Sequence, residues 1–456
     1  MPLEIVILAA GQGTRMRSSL PKILHKIGNK SLLEHVYALA NRLRPDKITV
    51  IYGHGGETVL KSLEHLEVTW VEQREQLGTG HAVMQVADAI GEESTVLILY
   101  GDVPLLNDAT VKKLLPLAGE DQIGLLTVNL GDPYGYGRIV RDPQGRVLRI
   151  VEEKDASAEE RETREVNTGI LAINGRHLKK WLGRLENNNA QREYYLTDVI
   201  AMAVADDVRV ETVQPSDPNE VLGVNNRAQL AHLERVFQSG LAEELMRTGV
   251  SLRDPSRFDV RGQIDAVGRD VEIDVNVVLE GRIKLGDNVR IGANCVIRDC
   301  EIGNNVEILP NCVIEDAVIG EGSRIGPFAR IRPETRIDDH VHVGNFVEVK
   351  KSAISSGSKV NHLSYIGDTI IGRDVNVGAG TITCNYDGAN KHQTVIEDGA
   401  FIGSDTQLVA PVRVGKNATI GAGATITKDA PENALTLSRA KQITVEGWQR
   451  PVKKRS

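Results

Sequence analysis

The feature that most restricts this chain is a period of six. An aliphatic residue followed by glycine recurs at Leu285, Ile291, Ile302, Ile319, Ile325, Val343, Ile366, Ile371, Val377, Ile402, Val414 and Ile420, mostly at intervals of six or a multiple. Four residues after most of these stands a small or β-branched residue: Val289, Cys295, Val306, Ser323, Ala329, Val347, Val375, Thr381, Thr406, Ala418 and Ala424. Apolar sites at i and i+4 of a six-residue repeat fit neither a 3.6-residue helix nor a long alternating strand. They predict short strands and tight turns wound into a parallel β-helix over residues 264–426. Three six-residue faces make an 18-residue coil, and coils about 4.8 Å apart satisfy one another's backbone groups. Polar pairs such as Asp287-Asn288, Asn304-Asn305 and Arg373-Asp374 supply the turns, where positive φ must be tolerated. The 44 glycines, above the usual share of about 7%, need a structural reason of this kind.

A break in such a repeat is more informative than the repeat. After Thr381 the period fails for ITCNYDGANKHQT, a polar insertion that adds nothing to a solenoid core. Loops of this sort on a rigid scaffold commonly bind ligands. Near it in sequence stand Arg332, Lys350, Lys351, His362, Tyr365 and Asn376: a base, phosphate donors and hydrogen-bonding groups of sugar size. His340 and His342, two apart, are expected on one strand face but lack a third metal ligand.

The N-terminal half reads differently. Apolar runs at residues 5–10, 48–52, 96–100 and 123–128 alternate with helical patterns, the signature of a mainly parallel sheet covered on both faces. The first run enters LAAGQGTRMRSSLPK, in which Gly11 and Gly13 admit backbone N–H groups to a phosphate and Arg15 and Lys22 add positive charge. Met16 stands where a dinucleotide fingerprint needs its third glycine, and no Gly-Lys-Ser/Thr follows. LILYGDVP places Asp102 at the carboxyl edge of a strand, a natural magnesium ligand beside a nucleotide phosphate. Gln73 with QLGTGHA, YGYGR, VEEKD, EVNTGI and GVNNR supply amides and a carboxylate but no positioned nucleophile, which suits nucleotidyl transfer. Leu230, Leu233, Phe237, Leu241 and Leu245 recur at helical spacing and predict a connecting helix. The expected divisions are residues 1–226, a linker at 227–248, and 249–456.

Composition excludes several functions. With 54 basic and 62 acidic residues the formal charge is -8, so no global field draws nucleic acid or anionic lipid. The apolar run at 5–10 is too short for a signal segment or membrane span, and four cysteines without a C-x-x-C pair suggest reduced thiols and no zinc site. A cytoplasmic protein is expected.

The repeat resembles that of the hexapeptide acyltransferases, whose prism is left-handed and usually trimeric. Taken together, LAAGxGTRM, Pro-Lys, GDxP, QLGTGHA, VNTGI, the linking helix, the prism and the NYDGAN loop resemble the bacterial bifunctional N-acetylglucosamine-1-phosphate uridyltransferase/glucosamine-1-phosphate N-acetyltransferases over essentially the whole chain. That resemblance implies an α/β chain: a Rossmann-like nucleotidyltransferase domain joined by a helix to a left-handed β-helix. It implies that Leu8, Ala9, Ala10, Gly11, Lys22, Gln73, Gly78, Thr79, Tyr100, Gly101, Asp102, Gly137, Glu152, Asn167 and Asn225 bind UTP and sugar phosphate. Asp102 and Asn225 would hold Mg²⁺, and Arg15 and Lys22 would neutralise charge. In the second half it makes His362 the general base, gives the glucosamine-1-phosphate to Arg332, Lys350, Tyr365 and Asn376, and gives acetyl-coenzyme A to Ala379, Asn385, Tyr386, Ser404, Ala422 and Arg439. The product would be UDP-N-acetylglucosamine for peptidoglycan and lipopolysaccharide synthesis, made by a homotrimer with small-molecule partners only. The family's C-terminal arm reaches a neighbouring subunit, so the basic QRPVKKRS end is either such an arm or a solvated tail. One string departs from the family: Arg192 stands where a glycine is usual before Glu-Tyr-Tyr. A pyrophosphorylase with a purely regulatory prism would lack the His362, NYDGAN and Lys350 set, and a non-enzymatic subunit could dispense with Arg15, Lys22, Asp102 or Asn225.

Overall fold

A computed structural model describes residues 1–453; the last three residues of the basic end lie outside the described residues. The chain forms two compact units, Met1–Phe237 and from Gln238 onward.

In the first unit, β1 (Leu3–Ala9), β2 (Lys47–Tyr52), β3 (Thr69–Glu72) and β4 (Thr95–Tyr100) are parallel and stand in the order β3-β2-β1-β4. Both faces of β1, β2 and β4 are buried, which is why they read as unbroken apolar runs, whereas β3 is a partly exposed edge strand. The chain moves outward from β1 to β3 and then returns to the other side of β1. This leaves a topological switch point between the carboxyl ends of β1 and β4, where such sheets bind ligands. The sheet continues through β5 (Gln122–Asn129), a hairpin of β6 (Arg138–Arg141) and β7 (Val147–Val151), β8 (Glu165–Asn174) and β9 (Arg209–Val213). Only β8 among the long central strands runs antiparallel to its neighbours.

The helix Arg227–Arg247 forms where its stripe predicts it. Within the first unit, Leu230, Leu233 and Phe237 pack against Met16, Ile27 and Leu32. Within the second, Leu241, Ala242 and Leu245 pack against the residues of the opening coil. There the Gln238 side chain accepts from Val260 N at 2.8 Å and donates to Val260 O at 2.9 Å, so this end of the solenoid has backbone partners.

The second unit is a parallel β-helix, with strands such as Phe258–Val267 and Val277–Leu285 in its first coils and mostly two- to four-residue strands elsewhere. Every aliphatic of the period and every small residue four places on is buried. The glycines that follow the aliphatics stand where the next coil comes closest: at Gly378 a Cβ would lie 2.5 Å from Ser404 N. Three expectations need correction. Coils are offset by 17 as well as 18 residues, as in Ile297 opposite Ile314 and Val278 opposite Val296, so one face is often a residue short. The solenoid also extends beyond residues 264–426, from Ser251–Leu252 paired with Glu272–Ile273 to Leu435–Thr436 paired with Thr419–Ile420. The end coils need to cap the core as well as stack on it, and they dispense with the aliphatic-glycine signature. Positive φ recurs at the corners, as at Asn288, Asn305 and Asp374. His340 occupies such a corner at φ 56°, outside the strand His342–Asn345, so the two histidines do not share a strand face.

Candidate functional sites

At the switch point of the first unit lies a cavity of about 480 Å³ lined by Leu8, Ala9, Ala10, Gly11, Lys22, Gln73, Gly78, Thr79, Tyr100 and Asp102, all expected from sequence, and by Gln12, Gln76 and Glu193. Leu8 and Tyr100 are register partners, and Gly101 N donates to Leu8 O at 2.9 Å, so the glycine-rich loop and the Asp102 turn leave the sheet side by side. Gln73 is buried on the neighbouring strand edge, and its amide donates to Gly78 O at 3.1 Å. Gln76 in turn donates to Gln73 O at 3.2 Å; the sequence signal for it was its place at the head of QLGTGHA.

The Lys22 ammonium pairs with the Asp102 carboxylate and also donates to Asn225 Oδ1 at 3.2 Å, an oxygen that accepts from Arg15 Nη2 at 3.0 Å. Val224 N donates to Asp102 O at 2.9 Å, which holds the GVNNR string to the Asp102 turn. Two hard oxygen donors from distant strings thus converge on one cation, here an ammonium. Mg²⁺ takes oxygen ligands and commonly one or two protein groups together with substrate phosphates, so Asp102 and Asn225 fit it. Among the described residues no group of three or more His, Cys, Asp or Glu is arranged to hold a metal.

Gly137, Glu152 and Asn167 assemble further along. Asn167 N donates to Gly137 O at 2.8 Å, joining EVNTGI to YGYGR, and the Glu152 carboxylate lies 3.4 Å from a Cβ placed on Gly137. Thr197 donates to Glu152 Oε1 at 3.0 Å while Leu196 N donates to Thr79 Oγ1 at 3.1 Å, so one segment ties this group to the main cavity. Burial pushes Glu152 above the usual carboxylate range despite the Thr197 bond, and Asp198, Asp155 and Glu193 push the same way. Burial, then Glu152 and Asp102, raises the Tyr100 phenol.

That segment is held by the loop carrying Arg192. Asn189 accepts at Oδ1 from Glu193 N (3.1 Å) and Gln191 N (3.2 Å) and donates through Nδ2 to Glu193 O at 2.6 Å. Arg192 adopts φ 55°, the conformation a glycine would take.

In the second unit, His362 Nδ1 lies 3.0 Å from Asn345 Oδ1, one coil earlier in register. With that carbonyl oxygen as acceptor, Nδ1 carries the proton and Nε2 presents its lone pair. Two further features of opposite character lie on the coils of this unit. One is cationic: Arg332 pairs with Glu348 at 2.7 Å, which raises the guanidinium further. Lys350 is pulled below the usual lysine range by the adjacent Lys391 ammonium, then by burial and Arg332, with Asp368 opposing. Tyr365 is the register partner of Glu348, which places it on the same face, and Asn376 pairs in register with Lys359. Lys391, on the insertion, was missed by sequence reasoning because spacing does not reveal where a loop folds back.

The other feature is a line of small groups. Gly380 N donates to His362 O at 3.2 Å, Asp405 N to Ala379 O at 2.7 Å and Gly423 N to Ser404 O at 2.8 Å, so Ala379, Ser404 and Ala422 follow His362 along one corner, coil by coil. Arg439 lies over Gly421 and Gly423 at its end. On the insertion, Asn385 is buried and donates to Asp368, whereas Tyr386 is exposed.

Comparison with known proteins agrees with this division. Residues 5–153 match the MobA-like NTP transferase domain family, residues 264–335 the GMPPB C-terminal domain, and residues 393–428 the bacterial transferase hexapeptide (six repeats). The chain is 66% identical over 455 residues to a bifunctional protein GlmU of Methylococcus capsulatus, covering 100% of this chain and 99% of that protein. It is 60% identical to the bifunctional protein GlmU of Aromatoleum aromaticum, covering 100% of both, and 58% identical to that of Azoarcus sp., covering 99% and 100%.

Proposed function

This chain belongs to the GlmU family of bifunctional proteins, and on that premise we propose how its two units divide two consecutive reactions. The second unit acetylates glucosamine-1-phosphate with acetyl-coenzyme A, and the first transfers UMP from UTP to the resulting N-acetylglucosamine-1-phosphate. The products are UDP-N-acetylglucosamine and pyrophosphate.

The observation that carries the acetyl-transfer reading is the Nε2 of His362, left free by the Nδ1 contact with Asn345, at the head of a line of small residues. Arg332 and Lys350 seat the sugar phosphate, with Tyr365 and Asn376 on the sugar. The line Ala379, Ser404 and Ala422 takes the extended coenzyme arm toward Arg439, and Asn385 and Tyr386 add further contacts. His362 Nε2 takes the proton from the amine as the amine nitrogen bonds to the thioester carbon; the C–S bond then breaks, the imidazolium returns that proton to sulfur, and the coenzyme leaves as its thiol.

In the first unit the substrate phosphate oxygen attacks the α-phosphorus of UTP in line, the new P–O bond forms, and the bond to pyrophosphate breaks. Positioning and neutralisation do the catalysis. Arg15 and Lys22 supply fixed positive charge, Gln73 and Gln76 the base-facing amides, and Glu152 and Asn167 the sugar contacts. Asp102 and Asn225 would hold Mg²⁺, which would supply positive charge against the phosphates. Lys22 then shifts from the carboxylate to the triphosphate.

Three copies assemble around the prism on this reading. Its support is a row of exposed apolar side chains beside His362, Phe328, Phe346 and Leu363, on successive corners at positive φ, the two rings stacked at 5.3 Å. Four free cysteines, and the lack among the described residues of any helix long and apolar enough to cross a membrane, support a cytoplasmic setting. One assay tests the pair of activities: glucosamine-1-phosphate, acetyl-coenzyme A, UTP and Mg²⁺ should yield UDP-N-acetylglucosamine, and omission of UTP should leave N-acetylglucosamine-1-phosphate. UDP-glucosamine formed ahead of any acetylation would contradict the order.

A further inference from the structure

The insertion that interrupts the repeat is a self-contained hairpin. Asp387 organises it: Oδ1 accepts from Ala389 N at 2.8 Å and from Asn390 N at 2.6 Å, and Oδ2 pairs with His392 Nε2 at 2.7 Å. Asp387 N donates to Asn390 O at 3.1 Å, His392 N donates to Asn385 O at 2.8 Å, and Tyr386 bridges Lys391 across the turn. The backbone N–H groups of Asn390 and Ala389 and the His392 ring hold the Asp387 carboxyl well below its usual range. The hairpin thus has a definite shape before any ligand arrives, and its base is tied to the Lys350 coil: His392 N bonds Asn385 O, the Asn385 amide donates to Asp368, and Asp368 N donates to Lys350 O at 3.0 Å, which brings Lys391, next to His392, to Lys350. Two ammonium groups with a guanidinium nearby repel one another, and a flexible loop would move apart. A clasp that holds like charges together makes sense where an anion is to enter between them.

We propose that Asp387 and His392 are positioning residues for acetyl transfer: their clasp presents Lys391 against Lys350 as a preformed seat for the phosphate monoester of the amino sugar. This rests on the reading of Arg332 and Lys350 as the phosphate site. Neither residue touches substrate; each acts through Lys391.

The test is a double-mutant cycle on the full chain, reading KM for glucosamine-1-phosphate and kcat of acetylation. Uridyl transfer is assayed on the same samples to certify folding, and calorimetric binding of N-acetylglucosamine-1-phosphate is measured without acetyl-coenzyme A. His392→Ala raises KM about threefold, the size of a half-exposed ion pair, with kcat little changed. Asp387→Ala raises it about tenfold because two backbone N–H groups lose their acceptor as well. Asp387→Asn falls between, and His392→Gln, which keeps a donor to the carboxylate, restores most of the loss. In a Lys391→Met background neither change has a further effect. If His392→Ala raises KM equally with and without Lys391, the clasp does not act through it and the proposal is overturned. If Lys391→Met and Lys350→Met themselves leave KM and product binding unchanged, the phosphate-site reading fails instead.

Discussion

Replacing Arg192 by glycine should stabilise the first unit. The residue sits at φ 55° in a turn pinned by Asn189, where Arg192 N donates to Asn189 O at 3.1 Å and the Asn189 amide bonds Glu193 on both sides. An L-residue in this region costs about 1–2 kcal/mol relative to right-handed backbone. Glycine escapes that cost but loses about 0.5–1 kcal/mol more entropy on folding. The arginine side chain is exposed, so its own packing contributes little. The difference leaves about 0.5–1 kcal/mol in favour of glycine, which for a unit of this size raises Tm by about 1–4 °C. Thermal unfolding of wild type, Arg192→Gly and Arg192→Ala separates the causes. Alanine keeps the backbone strain and should not stabilise. A lower Tm for Arg192→Gly, or an equal gain for Arg192→Ala, would show that the side chain and not the backbone decides, and would refute the reasoning.

Asn345→Leu removes the acceptor that fixes His362 and should lower the kcat of acetylation about tenfold or more while leaving uridyl transfer intact; steady-state rates for both reactions check this, and an unchanged kcat contradicts it. Gly169→Ala puts a Cβ into the Tyr100 ring at a residue with φ 83°, and urea unfolding of the first unit should show a loss of about 1–3 kcal/mol. Burial lowers His35, and burial together with Arg227 lowers His25. Their folded values lie below the unfolded value of about 6.5, so the unfolded state binds more protons once pH falls through it; stability is full above that pH and declines below. Denaturation at pH 7.5 and 5.5 should show the first unit weaker at the lower pH, and equal stability would contradict both assignments.

Much of the fold was legible because its signals are local. The period of six declares a coil through the need for an aliphatic in each corner and for no Cβ where the next coil approaches. The end coils were invisible because capping, not stacking, chooses Leu252 and Leu435, and no repeat marks them. In the first unit each string after a strand could be placed at the sheet's carboxyl edge, which is where Leu8, Gly78 and Asp102 gather. What sequence could not reveal were contacts made by chain reversal: Thr197 on Glu152, Lys391 beside Lys350, and Asn345 behind His362. Arg192 is the instructive intermediate. The resemblance raised the question of a glycine at this place, but only the backbone shows that Arg192 takes a left-handed conformation.

Two separate sites on one chain would perform the two transfers independently, and assaying both half-reactions on Asp102→Ala and on His362→Ala tests this directly. The account predicts that Asp102→Ala abolishes UDP-N-acetylglucosamine formation from N-acetylglucosamine-1-phosphate and leaves acetylation at the wild-type rate. It predicts the converse for His362→Ala, with acetylation down about 10²-fold or more and uridyl transfer unchanged. Loss of both activities in either folded variant, or acetylation unaffected by removal of His362, would contradict it.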